Sequence, residues 1–185
     1  MVMVHKIAIS GKMVSGKTTL LNAIVAQNPT LKRVSLADPV KDVAYRYFKM
    51  GANEKDRYLL QQIGQRFRSI RPSVWIDLLN DTAHNNESKN IGSICDDVRF
   101  PNELEAMRKE GWITVRLEVN EDERLRRVKQ TYGDEWESHW KNRFEESETS
   151  LDDYEFDWDY IFTDMPYDDI EATAQRIIGL ITADS

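Results

Sequence analysis

The 185-residue chain has very little cysteine, and its apolar residues form no long uninterrupted run. The one cysteine, Cys95, excludes a disulfide within the chain and fits a reducing compartment. No apolar stretch approaches the roughly 20 residues that a membrane-spanning helix needs. Residues 1–10 are too short for a secretory signal and lead straight into a glycine-containing motif. We therefore expect a cytoplasmic protein with no membrane partner.

Basic side chains are scarce in the C-terminal third, and the whole chain has a net charge of −7. Residues 132–185 contain 3 basic and 16 acidic side chains, whereas residues 1–72 contain 13 and 4. This asymmetry is consistent with chance or with an anion site near the N-terminus. A broad basic face is missing, so we expect no nucleic-acid partner.

What the chain does have is a regular alternation of short apolar runs and helical patterns, with 41% hydrophobic and 10% aromatic residues. The predicted strands are residues 4–10, 33–36, 91–95, 112–119 and 160–163. The predicted helices are residues 17–26, 40–50, 55–70, 74–84, 102–109, 121–131 and 168–181. This alternation predicts parallel strands with crossover helices, hence one three-layer α/β domain over residues 1–185.

Two consecutive helical patterns, 55–70 and 74–84, interrupt the alternation between the second and third strands. We predict that residues 39–88 form an inserted helical lobe. Residues 132–158 are rich in acidic residues and tryptophan and have no clear period. We interpret them as a mobile segment or an irregular cover, and residues 121–150 as a candidate lid.

The strongest motif is GKMVSGKT at residues 11–18, which fits G-x-x-x-x-G-K-[ST] between a predicted strand and a predicted helix. In such a P-loop, glycines let the backbone N–H groups surround phosphates at the start of a helix. Lys17 is expected to reach the outer phosphates, and the Thr18 hydroxyl to hold Mg²⁺. The predicted ATP-binding residues are Gly11, Val14, Ser15, Gly16, Lys17, Thr18 and Thr19.

The stretch SLADPVKDV, residues 35–43, follows the second predicted strand. Pro39 suits the first position of a helix, which makes Asp38 a candidate N-cap. Lys41 would then lie in the first helical turn, where it opposes the helix dipole. A bound anion near Lys41 is one way to offset that cost.

The stretch SICDDVRFPNELEAM, residues 93–107, places charged residues where the third predicted strand ends. Ligands bind at the carboxyl edge of parallel sheets. Asp96 or Asp97 can hold Mg²⁺ there through water. Arg99 can hold a phosphate through two parallel hydrogen bonds.

Two further arginine groups have both a functional and a structural interpretation. In the predicted lobe, Arg57, Arg66, Arg68 and Arg71 lie near Trp75, which suits either a base with a phosphate or a surface helix with a core tryptophan. After the fourth strand, Arg124, Arg127 and Lys129 either close over transferring phosphates or belong to a solvated amphipathic helix.

Taken in order, the motifs GKMVSGKTT, ADPVK, LLQQIG, VW and DVRFPNE resemble the deoxynucleoside monophosphate kinases of tailed bacteriophages, which are adenylate-kinase-like P-loop kinases. The resemblance extends over residues 5–130. It implies a five-stranded parallel sheet with an NMP-binding helical lobe. It also implies transfer of a phosphoryl group from ATP, with Mg²⁺, to a (deoxy)nucleoside monophosphate, in the host cytoplasm if the chain is viral. A homodimer is left open.

Carried onto this sequence, the resemblance assigns monophosphate binding to Lys41, Arg57, Gly64 and Trp75. It places Asp97, Arg99 and Glu103 in the same cleft and favours Asp97 over Asp96 for Mg²⁺. We add Asp38 and Arg68 to the predicted substrate-binding residues. The residues predicted to act in catalysis are Lys17, Arg99, Arg124 and Arg127.

The chain departs from that family at two places. Members often have Gly-Thr where this chain has Gly64-Gln65, and Asn-Asp-Gly where it has Thr163-Asp164-Met165-Pro166. The second difference leaves the contacts to the ATP base unassigned. Two alternatives remain: a kinase of another small acceptor such as dephospho-coenzyme A, and a non-catalytic nucleotide switch. A DNA-directed ATPase is disfavoured by the net charge of −7.

Overall fold

The computed structural model describes residues 5–51, 54, 56–164 and 169–183. Residues 182 and 183 are described by their backbone alone. Five strands form one sheet in the order β2-β3-β1-β4-β5, and every neighbouring pair is parallel. The strands are β1 (Lys6–Gly11), β2 (Leu31–Arg33), β3 (Gly92–Cys95), β4 (Ile113–Glu118) and β5 (Tyr160–Thr163). The predicted five-stranded parallel sheet is therefore confirmed.

Helices cover both faces of the sheet. Before β3 they are α1 (Lys17–Gln27), α2 (Ala37–Phe48), α3 (Arg57–Ile70) and α4 (Val74–Glu87). After β3 they are α5 (Pro101–Lys109), α6 (Glu121–Tyr132), α7 (Trp136–Lys141), α8 (Glu146–Thr149) and α9 (Ile170–Ala183). The two sides of β1 explain the layers: Ile7 and Ile9 pack with α1 and α9, whereas Ala8 packs with α2, α4 and α5.

The second strand begins and ends earlier than predicted. It covers residues 31–33 instead of 33–36, although Val34 N still donates to Ile94 O at 2.9 Å. The chain turns away because α2 already begins at Ala37, whose N–H donates to the carboxylate of Asp97 at 3.0 Å. Asp38 consequently lies inside the first turn and is not the N-cap, which corrects that prediction.

Residues 132–158 contain short helical turns where the sequence shows no clear period. Two 3-10 turns, Gly133–Glu135 and Asn142–Phe144, alternate with α7 and α8. The buried side chains of Trp140 and Leu151 fasten this cover to the domain. The prediction that residues 121–150 act as a lid stays a prediction.

Helices α2, α3 and α4 lie between β2 and β3 in the chain, where the helical lobe is predicted. Its role as a substrate-binding unit stays a prediction. The predicted element limits at Val4, Lys55 and Asp168 lie outside the described residues. Within the described part of the chain, no helix is both long and apolar enough to cross a membrane.

Candidate active site

The loop between β1 and α1, residues 11–18, has the backbone conformation of an anion-binding turn. Gly11, Val14 and Gly16 have φ angles of +153°, +52° and +96°. A Cβ on Gly11 would lie 2.6 Å from the carbonyl oxygen of Leu117, so only glycine fits there. At Gly16 the nearest atoms are 3.9 Å away, so the φ angle alone favours glycine.

Lys17 is the buried cation at this loop. Its Nζ donates to the carbonyl oxygens of Gly11 at 2.6 Å and Lys12 at 2.7 Å. Burial, and after it the positive charge of Arg99, lower the pKa of Lys17 to about 8, against the opposing effect of Glu148 and Asp96. The ammonium group thus lies among loop carbonyls, next to the backbone N–H groups.

Thr18 contacts Asp96 and not Asp97. Its Oγ1 donates to Asp96 Oδ2 at 2.6 Å, and the other oxygen of Asp96 accepts from Arg33 at 3.0 Å. Both oxygens of Asp97 are instead engaged at the start of α2, by Ser35 Oγ at 2.7 Å and by two backbone N–H groups. The two carboxylates, which follow the end of β3 at Cys95, thus have different partners. The hydrogen-bond partner of Thr18 is Asp96, and Mg²⁺ binding by Asp97 stays a prediction.

A cleft of about 1000 Å³ opens beside the loop. It lies between α2, α3, α5 and the segment that contains α8. Its polar and charged lining comprises Lys41, Gln61, Gln65, Arg68, Ser69, Asp97, Arg99, Asn102, Glu103, Glu145, Glu146 and Ser147. Gly64 also lies in the wall, where a Cβ would come 3.5 Å from Arg68 Nη1.

Glu103 is a buried carboxylate of the cleft wall that contacts two arginines. Its side chain is buried, and one carboxylate oxygen accepts from the N–H groups of Arg99 at 2.9 Å and Phe100 at 3.1 Å. The other oxygen accepts from Arg68 at 3.2 Å, and that guanidinium lies over the Phe100 ring. Burial raises the pKa of Glu103 despite these partners. Glu103 therefore fixes the positions of two cleft arginines.

Arg99 connects the cleft with the loop. Its Nη1 pairs with the carboxylate of Glu148. The other oxygen of that carboxylate accepts the backbone N–H of Met13 at 2.6 Å. The carboxylate of Glu148 thus contacts both Met13 of the P-loop and Arg99 of the cleft.

The two arginines predicted on α6 have different surroundings. Arg127 donates to Glu123 at 2.8 Å and to the carbonyl oxygens of Val14 and Ser15, each at 3.4 Å, so it braces the back of the loop. Its role as a phosphate contact stays a prediction. Arg124 is 6% exposed and lies over the Trp140 ring. Its Nε and Nη1 are buried with no hydrogen-bond partner among the described residues.

Three predicted substrate residues do not line the cleft. Trp75 is 2% exposed, donates from Nε1 to Gly64 O at 3.1 Å and stacks on Phe67, so it is a core residue. Arg57 is exposed at the start of α3. Asp38 pairs with Lys41 at 3.1 Å and borders a separate hollow. In each case helix periodicity places the side chain on a face that a one-dimensional motif does not reveal.

Sequence reasoning missed Glu148, Asp152 and Arg33. Asp152 pairs with Lys12 of the loop at 2.7 Å. The chain separations of 135 residues from Met13 to Glu148 and 140 from Lys12 to Asp152 leave no local signal for either contact. The available hints were the accumulation of acidic residues in this segment and a weak family resemblance at SETSLDD, residues 147–153.

No protein-family model and no curated protein matches this sequence. Solved structures with a similar fold include a sugar kinase from Janibacter sp. HTCC2649, with 13% identity, a TM-score of 0.60 and coverage of 96% of this chain and 95% of that one. Another is the shikimate kinase from Bacteroides thetaiotaomicron, with 18% identity, a TM-score of 0.58 and coverage of 96% and 98%. A third is the tunicamycin resistance protein of Deinococcus radiodurans, with 14% identity, a TM-score of 0.59 and coverage of 97% and 96%. These likenesses show the fold alone: an α/β architecture with a five-stranded parallel sheet and flanking helices.

Proposed function

We propose that this chain transfers a phosphoryl group from ATP to a small phosphorylated acceptor, most specifically a (deoxy)nucleoside monophosphate. The observation that carries the proposal is the juxtaposition of two anion-binding regions. A P-loop with its lysine lies next to a cleft of about 1000 Å³ lined by Lys41, Arg68 and Arg99, and Arg99 borders both the loop and the cleft. A donor phosphate and an acceptor phosphate would both find cationic partners there.

The donor side fits a nucleoside triphosphate. The loop has positive φ angles at Gly11, Val14 and Gly16 and leads into the N-terminus of α1, where backbone N–H groups and the helix dipole favour anions. Lys17 is already held at the loop by the carbonyls of Gly11 and Lys12. A phosphate chain would replace those carbonyls as the partner of the ammonium group.

The donor atoms next to the loop fit Mg²⁺. Thr18 presents an exposed hydroxyl that is hydrogen-bonded to the Asp96 carboxylate, and hard divalent cations prefer such oxygen ligands. Thr18 would hold the ion directly and Asp96 through water, in the role first expected for Asp97. When bound, the ion would neutralise charge on the outer phosphates.

The acceptor side fits a phosphate group of the substrate. Arg99 and Arg68 are both positioned by the buried carboxylate of Glu103. A guanidinium presents two parallel donors to a phosphate, which lysine cannot do. Lys41 adds a third positive charge at the N-terminal turn of α2. The amide side chains of Gln61, Gln65 and Asn102 lie in the same cleft and are available to a base or sugar.

The residues around the sites would act mainly by positioning and by stabilising charge. A phosphate oxygen of the acceptor is already an anion, so no strong base is required. Two nitrogens of the Arg124 guanidinium, Nε and Nη1, are buried without a hydrogen-bond partner among the described residues, and a bound anion would supply one. We assign Arg124 to the phosphoryl group in transfer, where cationic donors stabilise developing charge.

The identity of the acceptor, or the lack of one, distinguishes the proposed function from its alternatives. Similar folds occur in a shikimate kinase and a sugar kinase, which by name act on acceptors without a phosphate. The cleft arginines favour a phosphorylated acceptor, and dephospho-coenzyme A is the second candidate of that kind. A non-catalytic switch would bind ATP without needing the three cationic side chains of the cleft.

The test is an ADP-release assay with Mg·ATP across the common dNMPs and NMPs, with dephospho-coenzyme A, shikimate and a sugar panel alongside. We expect turnover with at least one monophosphate and none with shikimate or sugars. Turnover with dephospho-coenzyme A alone would move the assignment to that acceptor. ATP binding without turnover on any acceptor would favour the switch.

A further inference from the structure

The short helix α8 and its flanks lie directly across the mouth of the P-loop. The carboxylate of Glu148, whose side chain is only 7% exposed, accepts the N–H of Met13 at 2.6 Å. Four residues further on, Asp152 pairs with Lys12 at 2.7 Å. Leu151 between them is buried in the main hydrophobic core. Two carboxylates are thus held against the loop by a docked segment.

The bond to Met13 is one that a phosphate oxygen would use. Met13 lies between Gly11 and Gly16, in the stretch whose backbone N–H groups bind anions when the loop is occupied. A carboxylate oxygen accepts the same charge-assisted hydrogen bonds as a phosphate oxygen. Between Gly11, Lys12 and the segment a hollow of about 20 Å³ remains, room for roughly one water molecule. While Glu148 stays in place, its carboxylate occupies the Met13 N–H that a phosphate oxygen would use.

The second oxygen of the same carboxylate holds Arg99. In the proposed function Arg99 binds the acceptor phosphate, so Glu148 engages one group from each substrate site. Displacing Glu148 from Met13 by ATP also removes a partner from Arg99. Displacing it from Arg99 by an acceptor likewise loosens its contact with the loop.

We infer that Glu148 is an internal substitute for substrate phosphate, which ATP and the acceptor each displace and through which they favour one another's binding. The inference rests on the proposed function for the identity of the two ligands. If the loop must open before a ligand binds, the apparent affinity equals the intrinsic affinity multiplied by the fraction of molecules that are open. Because both ligands favour the open state, linkage requires their effects on each other to be equal.

The first experiment measures the affinity of a non-hydrolysable ATP analogue, with Mg²⁺, by calorimetry. Glu148→Gln keeps the size of the side chain and removes its charge, and we expect it to bind the analogue on the order of tenfold more tightly than wild type. The matched control is Asp153→Asn, an exposed carboxylate on the same segment, which should leave the affinity unchanged. Because the loss of a negative charge next to the loop raises the affinity for an anion by itself, the hydrogen-exchange measurement below decides whether Glu148 is displaced.

An unchanged or weaker affinity in Glu148→Gln, with an unaltered circular dichroism spectrum, would overturn the inference. If wild type binds no nucleotide at all, the proposed function fails, and this inference with it. Hydrogen exchange on the wild type covers the case in which the variant does not fold. Amides of residues 146–152 should exchange faster once the analogue binds, and slower exchange would contradict displacement of Glu148.

A coupling arm uses each dNMP as the second ligand. The dNMP that is phosphorylated in the acceptor assay should raise the affinity of wild type for the ATP analogue, and Glu148→Gln should reduce that enhancement toward none. A full enhancement in the variant would show that coupling does not pass through Glu148. The measurements with the ATP analogue alone test whether Glu148 is displaced. Their result therefore stands even if no acceptor is found.

Discussion

The nucleotide loop and the acceptor cleft are built on different principles. The loop contacts its proposed ligand mainly through backbone N–H groups, and its shape is set by Gly11 and Gly16. The cleft presents side chains from separate elements, and Arg68 and Arg99 are both held by Glu103. A phosphate chain is the same in every ATP, so a fixed backbone suffices to bind it. An acceptor varies between enzymes, which requires side chains that can vary too.

The donor side should lose the most from a single change. Lys17→Ala removes the ammonium group at the loop, and one such donor at developing charge is worth on the order of 10²–10³ in rate. We expect kcat in the ADP-release assay to fall by that order while the circular dichroism spectrum persists. Lys32→Ala, at an exposed lysine of β2, is the control and should remain active. Normal turnover in Lys17→Ala would exclude the role assigned to it.

The acceptor side should lose less, and more selectively. Arg99→Lys keeps the positive charge and removes the planar pair of donors. We expect kcat/KM for the monophosphate to fall by about tenfold to a hundredfold, in line with one lost charge-assisted hydrogen bond. Affinity for the ATP analogue should not weaken. Arg66→Lys, exposed on α3 and outside the cleft lining, serves as the control.

Near-normal kcat/KM in Arg99→Lys would show that Arg99 does not bind the acceptor phosphate. The comparison between the two sites would then depend on Arg68 and Lys41 alone.

The wall behind the cleft should affect stability rather than recognition. Trp75→Phe removes the indole N–H that donates to Gly64 O and leaves space in the core where the larger ring stacks on Phe67. The lost hydrogen bond and the lost packing together cost about 1–3 kcal/mol, which denaturant unfolding can measure. KM for the monophosphate and for ATP should change little. A selective rise in the monophosphate KM would instead restore Trp75 to the acceptor site.

The smallest expected effect is a pH dependence at Glu103. Burial raises the pKa of this carboxyl above its ordinary value of 4.5, so in that window the folded protein binds the proton that the unfolded chain releases. The stability contributed by Glu103 therefore falls as pH rises from 4.5 through the raised pKa. Denaturant unfolding should show wild type losing stability relative to Glu103→Gln between pH 4.5 and pH 7.

The control for that measurement is Glu155→Gln, an exposed carboxylate. Its stability relative to wild type should not show the same fall. An equal pH dependence in both variants would mean that the wall carboxylate is not the group responsible.

Local sequence was sufficient for the elements whose pattern is continuous along the chain. The limits predicted for α1, α5 and α6 lie within one residue of those observed. The hydrophobic residues of β1 and β3 likewise indicated parallel strands buried on both faces. The start of α2 was missed because its cap is the side chain of Asp97, about 60 residues away.

The sequence by itself determined the P-loop, since the spacing of its glycines, Lys17 and Thr18 is a local property of the eight residues 11–18. It also determined the alternation that produces the sheet. Only the tertiary structure decided which of two adjacent carboxylates meets Thr18, because Asp96 and Asp97 contact different elements, α1 and the start of α2. It alone decided that Trp75 is buried and that Glu148 reaches Met13. Such contacts depend on how distant segments pack, and no local pattern of residues encodes that.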